Sequence, residues 1–474
     1  MPEPTDPDFD ARNALRLIGP DPQNWVPDRP GIDHNVMIVG GGQSGCAFAF
    51  ALRRAGIGKV VVIDLAEDEA RAGVWLNAAR MNVLRTPKTL PGPEYGIAAF
   101  SFQAWCEARR GEAAYAAIER IPRADWAQYL AWYRRFLGIA VRYRTKLARI
   151  EPADGHFRLH LEVDGTPSTE TARKLILANG VAGNGGAYIP PALSEGLPAH
   201  LYAHTADAID FAALRGKRVA VVGGAASAFD AAGVALESGA ISVDLFARRA
   251  ALASLPVGRV RGYPGAYDNF PELPDAVRWR QAIRFRRAGS TPPADAIERV
   301  MKFPNFRLHL SAPWLAAREE AGQIAALAAD GEFRFDFAIA GTGYFVEPAA
   351  RPELALFADQ ILLWRDRYTP PADEEDEYLA AHPYLGAAHE YLEKTPGNAP
   401  FLGDIHVQNP AGFVSFGVPV GDVPSMKRGL PAVTRRISRD LFFADFPTHQ
   451  QRLAADVVPE FRADLYAAAV WHPG

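Results

Sequence analysis

Residues 35–64 read NVMIVGGGQSGCAFAFALRRAGIGKVVVID, and this stretch decides the fold. Its apolar runs at 36–39 and 60–63 predict two buried strands, because both are short, continuous and bounded by turn residues. The segment between them predicts a helix that ends at about Arg54, shortly before a glycine. A G-x-G-x-x-G pattern joins the first strand to this helix and consists of Gly40, Gly42 and Gly45. Strand, glycine turn, helix and strand together predict a βαβ unit of a dinucleotide-binding fold.

Each part of this unit has a physical task if a dinucleotide binds there. The first glycine permits the tight turn, the second lets the backbone approach a pyrophosphate, and the third allows helix and strand to pack closely. The helix start, at Gln43 and Ser44, offers free amide groups and the positive end of a dipole to phosphates. Asp64 ends the second strand, where it can accept hydrogen bonds from ribose hydroxyl groups.

The composition is that of a globular protein without a nucleic-acid partner. The 474 residues suffice for two or three domains, and the formal net charge of −4 lacks the basic excess that phosphate backbones require. The cysteines, Cys46 and Cys106, form no disulfide framework, and the eleven histidines show no metal-ligand spacing. The acidic N terminus is unlike a signal peptide, and the apolar stretch at 219–236 is broken by glycines and an aspartate. These features predict a cytoplasmic protein without a membrane span or a metal, and they leave its oligomeric state undetermined.

A second unit with the same order of elements occupies residues 217–249, KRVAVVGGAASAFDAAGVALESGAISVDLFARR. Its apolar runs predict two strands, 218–222 and 242–246. In its glycine turn the middle glycine is replaced by Ala225, which leaves less room for backbone near phosphates. Arg248 and Arg249 stand where the first unit has its acid. Because arginine suits a ribose phosphate, this unit is predicted to prefer NADP to NAD.

The rest of the chain contains weaker patterns. Residues 1–30 are rich in proline and predict an extended arm. An aromatic helix is predicted at 121–138, and core packing is the simplest role for its helically spaced stripe of Trp126, Leu130, Tyr133 and Leu137. Near the C terminus, Gly421 and Asp422 precede a predicted helix. The carboxylate of Asp422 is a candidate to hold the hydroxyl groups of a ribityl chain.

Two such units in one chain resemble the flavoproteins that have two dinucleotide-binding domains, and further motifs narrow this resemblance. G-V-W at 73–75, S-A-F-D at 227–230 and G-T-G-Y at 341–344 match motifs of the single-component, NADPH-dependent flavoprotein monooxygenases. This family includes the flavin-containing monooxygenases, the Baeyer–Villiger enzymes and the amine N-hydroxylases. F-S-F-Q-A-W at 100–105 and I-P-R-A-D-W at 121–126 are similar to stretches of the N-hydroxylases. The family's F-x-G-x-x-x-H hallmark is mostly missing.

The resemblance implies an α/β fold with two Rossmann-like dinucleotide-binding domains, in which the NADP domain is inserted into the FAD domain. The FAD-binding domain is expected at 31–190 and 345–474, and the NADP-binding domain at 191–344 with a helical insertion at about 250–305. FAD is expected to contact Gly40, Gly42, Gln43, Ser44, Gly45, Asp64, Trp75 and Asp422. NADPH is expected to contact Gly223, Gly224, Ala225, Ser227, Ala228, Arg248, Arg249 and Thr342.

The resemblance also implies an activity. In this family NADPH reduces FAD, and the reduced flavin takes up molecular oxygen as a hydroperoxide that oxygenates a small organic substrate, here expected at an amine nitrogen. The cofactor carries this chemistry, so neither a catalytic triad nor a metal is required. Asn82, Arg85 and Lys88 are the candidates for the reactive edge of the flavin, where hydrogen-bond donors stabilise developing negative charge.

Three other functions stay open at this point. A pyridine nucleotide–disulfide reductase has the same two units but needs a redox-active cysteine pair, and Cys46 and Cys106 are too far apart in the sequence to form that motif. A Baeyer–Villiger oxygenase acting on a ketone shares both cofactors and differs in the pocket. A dinucleotide-binding scaffold without catalysis is left open by Ala225 and by the missing hallmark.

Overall fold

The computed structural model describes residues 6–90, 92–258, 263–455 and 457–474. Its helices are α1 (Pro7–Ile18), α2 (Gln43–Arg54), α3 (Phe102–Arg110), α4 (Glu112–Ala117), α5 (Arg123–Phe136), α6 (Pro191–Ser194), α7 (Ala226–Glu237), α8 (Pro264–Asn269), α9 (Asp275–Ala288), α10 (Ala294–Met301), α11 (Trp364–Arg367), α12 (Glu377–Ala380), α13 (Phe413–Phe416), α14 (Met426–Ala444) and α15 (Phe446–Leu453). Several short 3-10 turns lie between these helices and the strands.

The strands form two main sheets and two small ones. They are β1 (His34–Val39), β2 (Val60–Ile63), β3 (Val141–Arg142), β4 (Thr145–Ala153), β5 (His156–Val163), β6 (Thr166–Leu177), β7 (Gly185–Ala187), β8 (Tyr202–His204), β9 (Arg218–Val222), β10 (Ser242–Phe246), β11 (Phe306–His309), β12 (Trp314–Glu320), β13 (Gln323–Ala328), β14 (Gly331–Phe335), β15 (Phe337–Ala340), β16 (Tyr344–Val346) and β17 (Ile405–Val407). The bounds of β2, β9 and β10 agree with those predicted from the apolar runs, and α2 ends at Arg54 as predicted.

The first main sheet contains the first glycine unit. Its strands lie in the order β3-β2-β1-β6-β5-β4, and β17 pairs with the end of β6. Because β1 is parallel to both β2 and β6, the carboxyl ends of these three strands meet at one edge. Alternate side chains of β1 enter different cores. Ile38 packs with residues of α2, α5 and α14, whereas Met37 packs with residues of β4, β5 and β6.

The second main sheet contains the second glycine unit. Its strands lie in the order β11-β10-β9-β15-β8, and every neighbouring pair is parallel. Phe229 of α7 and Val300 of α10 are buried in the core on one face. Trp314 and Phe335, from the antiparallel sheet β12-β13-β14, pack with Phe246 in a second core. Helices and parallel strands in alternation confirm the predicted α/β class.

The prediction of an extended arm at residues 1–30 is wrong over α1. The side chain of Asp6 caps this helix by accepting a 2.9 Å hydrogen bond from the amide of Asp8, and Pro7 occupies its first turn, where proline is tolerated. The helix is also held by tertiary contacts, since Ala11 is fully buried and Asp8 accepts a 2.7 Å hydrogen bond from Nε1 of Trp132. Proline here starts a helix instead of preventing one.

The helices α8, α9 and α10 follow the second glycine unit. Helix α10 packs against α7 of that unit. Helix α9 packs instead against α13, and its Trp279 lies 6.0 Å from Trp364 of α11. These contacts tie the second sheet to the C-terminal part of the chain. Within the described residues, no helix is both long enough and apolar enough to cross a membrane.

Candidate active site

The first glycine turn leaves no room for a side chain at two of the three glycines of the G-x-G-x-x-G pattern. At Gly40, whose φ is +111°, an ideal Cβ would lie 2.2 Å from the carbonyl oxygen of Ala178. At Gly45 it would lie 1.8 Å from the carbonyl oxygen of Gly40. At Gly42 the nearest atom is the Cα of Gly73 at 3.6 Å. The turn therefore packs closely at two glycines and keeps open space at the third, where a pyrophosphate is expected.

The start of α2 and the end of β2 provide polar groups beside this open space. Helix α2 begins after Gly42 without a side-chain cap, so its first amide groups are available to an anion. Asp64 is half-buried, and its Oδ2 accepts a 2.6 Å hydrogen bond from the amide of Gly41. Its Oδ1 accepts a 2.7 Å hydrogen bond from the amide of Ala66. An open glycine, an uncapped helix and a fixed carboxylate fit the pyrophosphate and ribose of a dinucleotide.

Gln43 connects three segments around the start of α2. Its Nε2 donates to the carbonyl oxygen of Gly421 at 3.2 Å, and its Oε1 accepts from Nε1 of Trp126 at 3.2 Å. The ring of Trp126 lies 6.3 Å from that of Trp75 in an edge-to-face contact. The structure therefore brings together the predicted flavin contacts Gln43 and Trp75 with Gly421, the residue before Asp422, although these are far apart in the sequence.

Asp422 lies between β17 and α14 and is half-buried. Its Oδ1 accepts a 2.9 Å hydrogen bond from the amide of Ser425. Burial raises the pKa of the Asp422 carboxyl group to about 6, because the hydrogen bonds from Ser425 only partly offset the loss of solvent. Hydroxyl groups of a ligand would stabilise the charged form of this carboxyl group by donating hydrogen bonds to it. Ser44, by contrast, is buried in the first turn of α2, and we expect its amide, not its hydroxyl group, to face a phosphate.

A cavity of about 180 Å³ lies beside α5 and the start of α3. Its lining combines aromatic and charged side chains, among them Phe102, Trp126, Tyr129, Lys88 and Glu94. Glu94 is only 9% exposed, and its Oε2 accepts a 2.6 Å hydrogen bond from the amide of Gly92. Val423 also lines the cavity, so the space adjoins the predicted flavin contact Asp422.

The three predicted catalytic residues have different surroundings. Asn82 is exposed. Arg85 forms an ion pair with Asp230 of α7, with Nη2 and Oδ2 2.5 Å apart. The Nζ of Lys88 donates to two carbonyl oxygens at the end of α4, at 2.9 and 3.2 Å, and lies 4.5 Å from the ring centre of Tyr115. Of the three, only Lys88 is among the described residues that line the cavity.

The second glycine turn is packed in the same way as the first. At Gly223, whose φ is +142°, an ideal Cβ would lie 2.2 Å from the carbonyl oxygen of Gly341. Ala225 precedes α7, which again has no side-chain cap. A Cβ at Gly341 would lie 2.6 Å from that of Ala228, so the turn and the end of β15 approach closely. The predicted contacts Gly223, Gly224, Ala225, Ser227 and Ala228 all lie in this turn or the first turn of α7.

The predicted arginine pair has two different environments. Both side chains are exposed after β10. Arg249 donates to the last two carbonyl oxygens of α9, at 3.1 and 3.0 Å, and so caps the end of that helix. Arg248 forms no hydrogen bond with any residue that the structure describes, which leaves its guanidinium group available to a phosphate. Thr342 follows β15 and donates from its hydroxyl group to the carbonyl oxygen of Tyr188.

Comparison with known proteins identifies the family. A family model described as pyridine nucleotide-disulphide oxidoreductase matches residues 37–257, which include both glycine turns. An FAD-dependent urate hydroxylase from Xanthomonas campestris pv. campestris is 40% identical over 439 residues, which cover 92% of each chain. The chain belongs to the flavoprotein monooxygenases. The resemblance inferred from the motifs is thereby confirmed, as is the prediction of an FAD-dependent monooxygenase.

Solved structures of flavoprotein monooxygenases have the same fold. The ornithine hydroxylase of Pseudomonas aeruginosa superposes with a TM-score of 0.68 at 18% identity, covering 86% of this chain and 99% of that chain. The L-lysine 6-monooxygenase of Pseudomonas syringae superposes with a TM-score of 0.64 at 18% identity, covering 87% of this chain and 99% of that chain. At this identity the likeness concerns the fold and carries no information about the substrate.

The cysteines of this flavoprotein monooxygenase do not form the pair that a disulfide reductase needs. Cys46 and Cys106 are both buried as free thiols. Burial raises the pKa of the Cys46 thiol to about 12, so its reactive thiolate form is scarce at neutral pH. In the described part of the chain, no group of three or more His, Cys, Asp and Glu residues is placed to hold a metal ion.

The roles of two residues in the site region were missed by reasoning from the sequence. Glu94 stands in an irregular segment without a recognisable pattern, and only its burial beside the cavity draws attention to it. Asp230 belongs to the S-A-F-D motif, but its partner Arg85 is 145 positions away. The motif marked Asp230 as a residue of interest, whereas the ion pair required the tertiary structure.

Proposed function

We propose that this flavoprotein monooxygenase uses FAD and NADPH to hydroxylate urate or a closely related oxidised purine. Urate as the substrate is supported by the 40% identity, across 92% of both chains, to an FAD-dependent urate hydroxylase. Oxygenation at an amine nitrogen, which the motifs favoured, is supported only by fold likeness to ornithine and lysine hydroxylases at 18% identity. It is therefore the second candidate.

The sheets support one cofactor at each glycine turn. The strands of the first main sheet come from 34–177 and 405–407, and those of the second from 202–340. We therefore retain an FAD-binding domain at 31–190 and 345–474, interrupted by an NADP-binding domain at 191–344. The acid at the end of β2 suits free ribose hydroxyl groups, and the arginine after β10 suits a ribose phosphate, which supports FAD at the first turn and NADPH at the second.

The residues around the first turn would hold FAD by its different parts. The amides at the start of α2 would bind the pyrophosphate, Asp64 the ribose and Asp422 the ribityl hydroxyl groups, while Trp75 would border the ring system. When bound, FAD transfers electrons from NADPH to molecular oxygen, so that one oxygen atom enters the substrate and the other leaves as water. The chain holds the reactants in position and limits the access of water.

The cavity beside Val423 is the proposed substrate site. Its aromatic side chains offer flat surfaces for a planar heterocycle, while Glu94 and Lys88 could pair with the N–H and carbonyl groups that an oxidised purine carries. Lys88 also remains our candidate for stabilising negative charge near the flavin. Asn82 is retained as a candidate for the same edge, although its side chain is exposed. Arg85 is paired with Asp230 and receives a different role below.

A comparison of substrates tests this proposal. NADPH oxidation and hydrogen peroxide release are measured with urate, L-ornithine, L-lysine and cyclohexanone, and without any substrate. We expect urate to accelerate NADPH oxidation while peroxide release stays low, because oxygen is then transferred to the substrate. The amines and the ketone should leave the basal rate unchanged. Faster, coupled oxidation with an amine would favour the second candidate, and conversion of the ketone to an ester would favour Baeyer–Villiger chemistry.

A further inference from the structure

We infer that Arg85 and Asp230 are positioning residues. They hold the second glycine unit in a fixed orientation against residues 80–85, the cavity segment, which borders the cavity. This inference rests on the proposed function, because it concerns the placement of two nucleotide sites in one enzyme. Arg85 belongs to the segment between β2 and α3, whereas Asp230 belongs to α7. The ion pair therefore joins the polypeptide that follows the first glycine unit to the helix of the second.

The surroundings of the pair make it sensitive to the loss of either partner. The Asp230 side chain is 6% exposed and the Arg85 side chain 39% exposed. Burial raises the pKa of the Asp230 carboxyl group, while the guanidinium group of Arg85 acts in the opposite direction. A carboxylate that is buried without its counter-charge is unfavourable. Without Arg85, a movement of α7 that exposes Asp230 to solvent would lower the free energy of the protein. Such a movement turns the helix away from the cavity segment.

A second arginine connects the same two parts. Arg299 of α10 crosses α7 at Gly233, where an ideal Cβ would lie 2.8 Å from the Arg299 side chain. Its Nε donates to Oε1 of Glu237 at 2.7 Å, and its Nη1 donates to the carbonyl oxygen of Arg80 at 2.8 Å. Glycine at position 233 thus makes room for a guanidinium group that reaches from α7 to the cavity segment.

A third arginine, Arg80, belongs to the cavity segment and binds residues that follow β8. The Nη2 of Arg80 donates to the carbonyl oxygen of Asp207 at 2.9 Å, and its Nη1 donates to that of Thr205. The guanidinium group also lies 5.1 Å from the ring centre of Phe211. Arg80, Arg85 and Arg299 therefore fix residues 80–85 to α7, to α10 and to the segment after β8. Leu84, within this stretch, lines the cavity.

The orientation of α7 determines where a nucleotide at the second site lies relative to the first site. The uncapped start of α7 is where the second nucleotide is expected, and Asp230 stands one helical turn further along. A small rotation of α7 would displace a nucleotide bound there relative to the cavity while leaving its own contacts intact. Breaking the ion pair should therefore slow the reduction of the flavin by NADPH much more than it weakens the binding of NADPH.

The test is a double-mutant cycle of Arg85→Gln, Asp230→Asn and the combined variant. The limiting rate of flavin reduction by NADPH and the dissociation constant for NADPH are measured without oxygen and normalised to bound flavin. We expect each single substitution to lower the limiting rate about tenfold or more, with a change of less than about threefold in the dissociation constant. The combined variant should be no slower than the slower single variant, because both remove one interaction.

Matched controls separate this role from a general loss of stability. Arg120, which follows α4, and Asp295 of α10 form a looser ion pair, 3.8 Å apart, whose side chains are both partly exposed, at 32% and 46%. Arg120→Gln should leave the reduction rate unchanged, because exposed pairs contribute little. Arg85→Lys retains the charge and should recover most of the rate. It also keeps the question decidable if a neutral variant fails to fold.

A structural measurement accompanies the kinetics. Small-angle scattering of the Arg85→Gln and Asp230→Asn proteins should show the radius of gyration of the wild type, because a small rotation of α7 does not enlarge the folded protein. Unchanged reduction rates, single effects that multiply in the combined variant, or a loss of NADPH affinity equal to the loss of rate would each overturn the inference. If NADPH failed to reduce the wild-type protein, the proposed function would fail and this inference with it.

Discussion

Gly42 and Gly45 of the first turn should respond differently to the addition of one methyl group. In Gly45→Ala the new Cβ would meet a backbone oxygen at 1.8 Å, which cannot move aside as a flexible side chain can. We expect this substitution to lower the free energy of unfolding by about 3 kcal/mol. In Gly42→Ala the nearest atom is at 3.6 Å, so the fold should be retained while FAD binding weakens.

Thermal unfolding and the flavin absorbance of the purified variants check both expectations. Gly42→Ala is the matched control for Gly45→Ala, because both add the same methyl group to the same turn. A Gly42→Ala protein with the flavin content of the wild type would contradict the assignment of this open space to a pyrophosphate. A Gly45→Ala protein of wild-type stability would contradict the packing.

Asp422 should give the protein a characteristic dependence of stability on pH. Burial raises the pKa of this carboxyl group to about 6, above the 3.8 of an ordinary aspartate. The folded state therefore binds the proton more tightly, and the group stabilises the fold below about pH 4. This contribution is lost as the pH rises from about 4 to about 6. Asp422→Asn should thus gain up to about 3 kcal/mol relative to the wild type over that interval.

Unfolding by denaturant at pH values from 4 to 7 measures this difference. The wild-type and Asp422→Asn curves should diverge as the pH rises, because only the wild type must bury a negative charge. Curves that stay parallel over the whole interval would show that Asp422 is solvated in the folded protein. The same variant should retain less FAD if its carboxylate holds the ribityl hydroxyl groups.

At single positions, the sequence could predict roles that depend on local geometry. Gly40 was predicted to permit the tight turn, Gly42 to let the backbone approach a pyrophosphate and Gly45 to let helix and strand pack closely, because the spacing of the pattern determines these roles within one turn. The role of Arg85 could not be predicted in this way. Its partner Asp230 is 145 positions away, and only tertiary contact decides whether a guanidinium group faces a ligand or a carboxylate.

At the scale of the elements, we expect the end of β10 to determine the preference for NADPH over NADH. Arg248 is exposed, whereas Arg249 caps α9 through its last two carbonyl oxygens. Arg248→Ala should raise the KM for NADPH by about tenfold or more and leave that for NADH unchanged, because a charged hydrogen bond to the ribose phosphate is lost. Arg249→Ala should lower the melting temperature and change the NADPH preference less.

Steady-state kinetics with both nucleotides, together with thermal unfolding, separate these outcomes. If Arg249→Ala changed nucleotide preference while Arg248→Ala did not, the roles assigned to the two arginines would be reversed. If neither variant distinguished NADPH from NADH, the strand end would not contact the ribose phosphate. The prediction of NADP at the second unit would then be wrong.

The elements that the sequence predicted well are those whose signal is local. The strands β2, β9 and β10 are short apolar runs between turns, and their observed bounds agree with the prediction. The helix α5 was expected at 121–138 and is observed at Arg123–Phe136, but its buried aromatic residues are Trp126, Tyr129, Trp132 and Tyr133. Rings of α2 and α3 contact these side chains, so the stripe is wider than one helix face predicts. The prediction of an extended N-terminal arm was wrong over α1, because proline can also occupy the first turn of a helix.

For the whole molecule, the repeated units predicted the α/β class but not how they meet. The three arginines that connect residues 80–85 to the second unit bind mostly through backbone carbonyl oxygens. Such contacts leave no pattern in the sequence, because any residue supplies a carbonyl group. The substrate was likewise beyond prediction, since the lining of the proposed substrate cavity combines residues from separate segments that carry no common motif.

We have proposed that this flavoprotein monooxygenase transfers one atom of molecular oxygen to urate. The most direct measurement is mass spectrometry of the product formed from urate and NADPH under oxygen-18 gas. We predict one heavy oxygen atom in each molecule of hydroxylated urate, and none when the label is supplied in water. Hydroxylated product that takes its label from water, or NADPH consumption that yields only hydrogen peroxide, would contradict oxygen transfer to urate.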